Sequence, residues 1–114
     1  MTEIKRYEIL YTETAICDIE EKAAYIAERL SDPALAELWY MRLRDEIQKS
    51  LSSFPEKYPV YDVSPWNQRG IRFLVTRNDV VLYSVDHAKR CVYIRAVCTR
   101  GRDIPAHLLR QDEN

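Results

Sequence analysis

A chain of 114 residues, 46% hydrophobic and 31% charged, has the length and composition of one soluble globular domain with enough apolar side chains for a real core. No run approaches the roughly 18 apolar residues of a membrane span, and no apolar region follows the opening Met1-Thr2-Glu3-Ile4-Lys5-Arg6. Neither a membrane anchor nor a signal peptide is therefore expected, and the chain should stay in the cytoplasm. The net charge of −1 conceals an asymmetry: residues 1–65 hold 8 basic and 13 acidic side chains, whereas residues 66–114 hold 9 basic and 5 acidic ones. Such a split points to an anionic partner for the second half, or to two halves that neutralise each other across their packing.

In chain order, Tyr7 to Tyr11 is short and rich in β-formers and reads as a first strand. Thr12 and Thr14 are both fair N-caps for a following helix. Ile16, Ile19, Ala23, Ile26 and Leu30 then recur at helical steps, giving one amphipathic stripe over residues 13–30. Ser31-Asp32-Pro33 stops that helix and starts another, because proline disfavours helix before it and suits a first turn. Asp32 is the expected N-cap. A second stripe runs through Ala36, Tyr40, Leu43, Ile47, Leu51 and Phe54, so residues 33–53 form a helix antiparallel to the first.

Phe54-Pro55 ends that helix, and Pro59 and Pro65 keep the chain extended or turned until about Gln68. Three strand-like runs follow at Gly70–Thr76, Val80–Asp86 and Cys91–Thr99, with short loops at residues 77–79 and 87–90. Strands so closely linked form an antiparallel meander. Residues 104–109 read as a last helical turn. The order β-α-α-β-β-β predicts a single two-layer α+β domain, its helical hairpin packed on an antiparallel sheet.

Neither metal nor cofactor is expected. The three cysteines, Cys17, Cys91 and Cys98, contain no Cys-x-x-Cys pair and read as small buried hydrophobes, with Cys91 and Cys98 on opposite faces of a strand. His87 and His107 lack metal-ligand spacing, and a lone loop histidine such as His87 reads as solvated. Two glycines leave no room for a Gly-rich phosphate loop.

The arginines are the chemistry-bearing residues of the second half. Alternation puts Ile71, Phe73 and Val75 on one face, and Arg72 and Leu74 on the other. In the last strand it puts Val92, Ile94, Ala96 and Cys98 opposite Tyr93, Arg95 and Val97. If the all-apolar sets lie against the helices, Arg72 and Arg95 project from the open face. Arg69 is then at the rim, and Arg100 and Arg102 lie where the strand ends. Guanidiniums so placed suit phosphate or carboxylate, and Tyr83 or Tyr93 could stack on a base or donate a proton.

The stretches "YTETAICDIEEKAAYIAERLSDPALA", "LSSFPEKYP", "RGIRFLV", "VVLYSVD" and "VYIRAVCTRGRD", in this order, resemble the RelE/ParE toxins of bacterial type II toxin–antitoxin modules over nearly the whole chain. The resemblance implies a plasmid-stabilisation-type toxin that halts growth and is wrapped by a cognate antitoxin in a hetero-oligomer. RelE-like members cut mRNA on the ribosome; ParE-like members poison DNA gyrase and are not nucleases. Arg72 matches the Gly-x-Arg element common to both branches. In the RNA-cleaving branch the resemblance gives Arg72 a phosphate-stabilising role, shared with Arg100 or its neighbour Arg102. With Tyr83 from the strand reading, Arg72 and Arg100 are the expected catalytic set should the chain cleave RNA, and Arg69, Arg95 and Arg102 are the expected further target- or phosphate-binding residues. Trp39, Arg72 and Arg95 are the expected antitoxin-binding residues.

Two departures tilt the reading toward a ParE-like gyrase poison. Val63-Ser64-Pro65 stands where RelE-like members have a lysine pair, and the C-terminal "HLLRQDEN" lacks a His-Tyr pair. RNA cleavage needs a base and an acid besides phosphate-stabilising charge. Arginine supplies only the charge, leaving Glu56, Lys57, Tyr83, Tyr93 or His107 for proton transfer. An mRNA endoribonuclease and a degenerate protein that only binds an antitoxin are the alternatives.

Overall fold

The structure, a computed structural model, describes residues 6–101 and Ile104. Strand β1 (Glu8–Tyr11) leads into helix α1 (Glu13–Arg29) and helix α2 (Pro33–Leu51). A short 3-10 turn over Pro55–Lys57 follows, then strands β2 (Arg72–Val75), β3 (Asp79–Asp86) and β4 (Cys91–Thr99). The expected β-α-α-β-β-β order and α+β class hold.

Local chemistry sets the helix ends. The Thr12 hydroxyl accepts from the Ala15 amide at 3.2 Å, so Thr12 and not Thr14 caps α1. The same hydroxyl donates to the Ile94 carbonyl at 2.9 Å and ties the helix entry to β4. Asp32 caps α2 by accepting from the Ala34 amide at 3.0 Å, with Pro33 in the first turn. Ser52 is the C-cap of α2, and Phe54, left-handed at φ 49° where the 3-10 turn begins, is 67% exposed, so the second stripe ends outside the core.

The sheet order is β1-β4-β3-β2. β2, β3 and β4 form the expected meander, while β1 pairs parallel to β4 in the register Glu8↔Cys91 to Tyr11↔Ile94. The helical hairpin between β1 and the meander is the crossover that a parallel pair requires. The main core lies between helices and sheet, with Ala15, Ile19, Leu43, Ile47 and Leu51 against Leu74, Val81, Tyr83, Val92, Ile94 and Val97. In α1 the packed stripe is rotated from the expected one: Ala15 is fully buried, whereas Ile16 (43%) and Leu30 (58%) are exposed.

The strand faces overturn two expectations. Leu82 pairs with Ala96 but Tyr83 pairs with Ile94, so Arg95 is the extra residue of a β-bulge. Beyond the bulge the alternation reverses. Val97 turns toward the helices, and Ala96 and Cys98 turn to the far face. Cys91 and Cys98 consequently share that far face, and Cys17 on α1 is exposed rather than buried. In β2 it is Leu74 that enters the helix-facing core, while Ile71 and Phe73 pack on the far side. Arg72, paired with Tyr83, lies on the helix side and not on the open face.

A second, smaller core explains the choice. Trp66, 4% exposed, sits in the turn-rich stretch before β2 and covers Ile71, Leu82, Ala96 and Cys98, with Tyr61, Val63 and Phe73 around it. The loop that reads as merely extended in the sequence thus lids half of the far sheet face. Arg102 to Asn114, apart from Ile104, lie outside the described residues, and with them most of the expected last turn.

Candidate functional site

The sequence-predicted residues do not converge. Arg72 opens β2, half-buried, and its guanidinium Nη1 donates to the Tyr58 carbonyl at 2.6 Å and to the Glu56 carbonyl at 3.1 Å. Tyr83 is fully buried and donates its hydroxyl to the Pro55 carbonyl at 2.5 Å. Burial pushes its phenol well above the ordinary tyrosine range, against the opposing pull of nearby Arg72. Both side chains therefore clamp the turn over Pro55–Lys57 to the sheet.

Arg100 lies at the other end. Its amide donates to the Asn78 carbonyl at 3.1 Å and its guanidinium to the Arg77 carbonyl at 3.2 Å, beside the β2–β3 loop. The strand register separates it from Arg72 by roughly 15–20 Å at about 3.3 Å per residue. Each guanidinium is bonded to carbonyls at its own end of the sheet, so the two are not gathered around one point.

Arg95 projects from the bulge, exposed, donating Nε–H to the Ser84 hydroxyl at 3.0 Å with its guanidinium 5.3 Å from the Tyr93 ring centre. It does stand on the open part of the far face, without Arg72. Arg69 is exposed in the turn before β2. Arg102 and His107 lie outside the described residues.

Trp39, half-buried, donates its indole N–H to Asp79 Oδ2 at 2.8 Å, and the Lys22 ammonium lies 5.3 Å from its ring centre. Lys22 also pairs with Asp79 Oδ1. Asp79, 1% exposed, so fastens the β2–β3 loop to both helices. Beside this triad runs a groove of about 750 Å³ between α2, the end of α1 and the β2–β3 loop. Its walls include Ile26, Leu35, Leu38, Trp39 and Leu43, with Leu35 (41%) and Leu38 (42%) open to solvent. Its charged lining includes the Asp45–Lys49 pair and Asp79, together with Arg42, Arg77 and Glu46; none of these last three is in an ion pair among the described residues.

The fold also assembles a polar array that the sequence does not announce. The Tyr7 hydroxyl is 2.8 Å from His87 Nδ1, and His87 Nε2 is 3.1 Å from Glu56 Oε2. Glu56 is one of the proton-transfer candidates named above, whereas His87 reads from sequence as a solvated loop residue. No local motif joins residues 7, 56 and 87. They meet because β1 pairs with β4, which puts the Glu8 amide 2.9 Å from the Arg90 carbonyl, and because Arg72 and Tyr83 hold the turn that carries Glu56.

Among the described residues, no group of three or more His, Cys, Asp or Glu side chains is placed to hold a metal ion. No helix there is long and apolar enough to cross a membrane.

The chain shares its fold with solved structures of two toxin–antitoxin assemblies. It is similar to the structure described as the chromosomal ParDE toxin–antitoxin system from P. aeruginosa, with TM-score 0.67 and 14% identity over 82% of this chain and 95% of that one. It is also similar to the RelBE2 toxin–antitoxin complex from Mycobacterium tuberculosis, with TM-score 0.60 and 17% identity over 90% of this chain and 100% of that one. No protein-family model matches the chain, and no curated protein is significantly similar to it in sequence.

Proposed function

We propose that this chain is the toxin component of a type II toxin–antitoxin pair, held inactive by an antitoxin segment seated in the groove beside Trp39. The fold supports the class, since both structural neighbours are described as toxin–antitoxin assemblies. The groove supports the mode of neutralisation. Its exposed leucines need an amphipathic cover, and once the Asp45–Lys49 and Lys22–Asp79 pairs are set aside, Arg42 and Arg77 outweigh Glu46 and favour a partner with acidic side chains. Of the expected antitoxin contacts, Trp39 lines this groove and Arg95 offers a second anchor on the open sheet face. Arg72 has Nη1 engaged with two carbonyls and serves the fold more than a partner.

For the target, the favoured reading is a ParE-like gyrase poison that acts by protein contact. The separation of Arg72 and Tyr83 from Arg100 carries it, because a RelE-like nuclease gathers such groups around one phosphate. A second reading, RNA cleavage, is favoured by the Tyr7–His87–Glu56 array, which supplies groups able to move protons. Expression in bacteria, alone and with the product of the neighbouring reading frame, tests the class. Growth arrest relieved by co-expression is expected, and harmless expression at high yield would mark a degenerate binder. Gyrase–DNA cleavage complexes trapped by the purified chain would establish the first target reading; cut mRNA on translating ribosomes would establish the second.

A further inference from the structure

We infer that the crevice between α1, α2 and the end of β1 binds a small amphoteric molecule with an apolar body, an α-amino acid with an aromatic or branched side chain, held between Arg44 and Glu20. This site is independent of both target readings and shares no lining residue with the groove beside Trp39.

The crevice has the size and the walls of a ligand pocket. It holds about 420 Å³, within the range that small molecules occupy. Tyr11, Ile16, Ile19, Ala23 and Tyr40 make its apolar lining. The stripe of α1 explains the space. At Ala23 that stripe carries only a methyl group, and Ile16 is left 43% exposed because the packed face of the helix is rotated. Apolar surface therefore stays open between the two helices, with no side chain of the crevice large enough to close it.

Arg44 supplies a fixed cation. Its guanidinium lies 5.2 Å from the Tyr11 ring centre and 5.7 Å from that of Tyr40, and Nη1 donates to the Tyr40 hydroxyl at 3.0 Å. Tyr40 and Arg44 are a helical turn apart on α2. Tyr11 ends β1, where the neighbouring Thr12 hydroxyl is bonded to the Ile94 carbonyl. Rings from two elements so hold the guanidinium plane. The Tyr40 bond takes a single N–H, and the edge that remains can grip a carboxylate.

Glu20 supplies the opposite charge. It is exposed on α1 and lines the same crevice. It pairs neither with Arg44 nor with any other cation among the described residues, and Arg44 has no carboxylate partner there either. A simple carboxylic acid in the crevice is repelled by Glu20, and a simple amine is repelled by Arg44. A ligand with both charges satisfies both, placing its carboxylate on Arg44 and its ammonium on Glu20. Its side chain then covers the tyrosine rings, Ile16 and Ala23. Both charged groups are open to solvent, so a Kd of about 0.1–1 mM is the expected scale.

The test is an NMR titration of the purified full chain with L-phenylalanine, 3-phenylpropanoate, 2-phenylethylamine and glycine. Phenylalanine should give saturable amide shifts around Ala23 and Tyr40. The two singly charged analogues should bind about 3–10-fold more weakly, the scale of one charge-assisted contact at a wet site, and glycine should not bind. Arg44→Gln and Glu20→Gln alter exposed side chains and should keep the wild-type unfolding midpoint by circular dichroism. Each should weaken phenylalanine binding by a similar factor. Arg44→Gln should also cease to distinguish phenylalanine from 2-phenylethylamine, and Glu20→Gln should cease to distinguish it from 3-phenylpropanoate. A merely structural role would not produce that matched loss of discrimination. Absence of saturable binding by wild type up to about 10 mM would overturn the site. So would phenylalanine affinity that survives both substitutions, and 3-phenylpropanoate bound as tightly as phenylalanine would overturn the amphoteric ligand.

Discussion

Asp79 is the residue whose loss the fold should feel most. It is buried and accepts from Lys22 on α1 and Trp39 on α2 (2.8 Å for the indole), so one carboxylate joins the β2–β3 loop to two helices. Asp79→Ala strands the Lys22 ammonium, whose side chain is only 18% exposed. Removing one partner of such a pair should cost about 3 kcal/mol in urea denaturation. Trp39→Phe, which leaves the ion pair in place, should cost much less. Tyr83 makes a different demand. Its phenol is raised by burial, so the folded state keeps the proton at a pH where an unfolded tyrosine ionises. The unfolded chain then binds fewer protons, and stability falls as pH rises above about 10. Tyr11, also raised by burial, contributes in the same direction. Denaturation midpoints between pH 8 and 11 should drop for the wild type and drop less for Tyr83→Phe. An unchanged slope in that variant would mean that another group titrates.

At the scale of elements, the bulge at Arg95 and the left-handed turn at Gly70 decide where side chains point. Gly70 sits at φ +72°, and no atom lies within 4 Å of where a Cβ would stand, so only the backbone objects to a side chain there. Gly70→Ala should therefore cost about 1–2 kcal/mol, read as a lower denaturation midpoint at unchanged slope. Helix starts and the order of elements along the chain are legible in the sequence because they depend on local chemistry: Asp32 before Pro33, Thr12 before Glu13, and apolar residues at helical or alternating steps. The faces of β2 and β4 are not legible. One extra residue at position 95 reverses every side chain after it, and nothing in "YIRAVC" marks the bulge. Trp66, hidden in a proline-bounded loop, supplies the second core that makes Ile71 and Phe73 buried on the far side. Alternation alone therefore picks out the arginines but puts some of them on the wrong surface. Arg95 reaches the open face, whereas Arg72 becomes a clamp. The Tyr7–His87–Glu56 array depends on the parallel β1–β4 pairing, which no local pattern announces.

The whole molecule separates its surfaces. The groove beside Trp39 lies by the β2–β3 loop, whereas the Tyr7–His87–Glu56 array lies by the β3–β4 loop at the other end of the sheet. An antitoxin that fills the groove alone would leave the array open, so neutralising both ends requires a segment that continues along the molecule. The open part of the far face, where Arg95 stacks on Tyr93, offers a second anchor for such a segment. This arrangement makes binding and inhibition separable. Leu38, 42% exposed on the groove wall, contributes little to the core, so Leu38→Glu should keep the wild-type unfolding midpoint within about 0.5 kcal/mol. It places an anion against the acidic partner expected from the Arg42 and Arg77 rim. Calorimetric affinity for the antitoxin should fall about 10²-fold or more, the scale of a disrupted interface anchor. Growth arrest should then persist despite antitoxin co-expression. If Leu38→Glu binds the antitoxin as tightly as wild type while Arg95→Ala does not, the open sheet face is the principal docking surface and the groove is not.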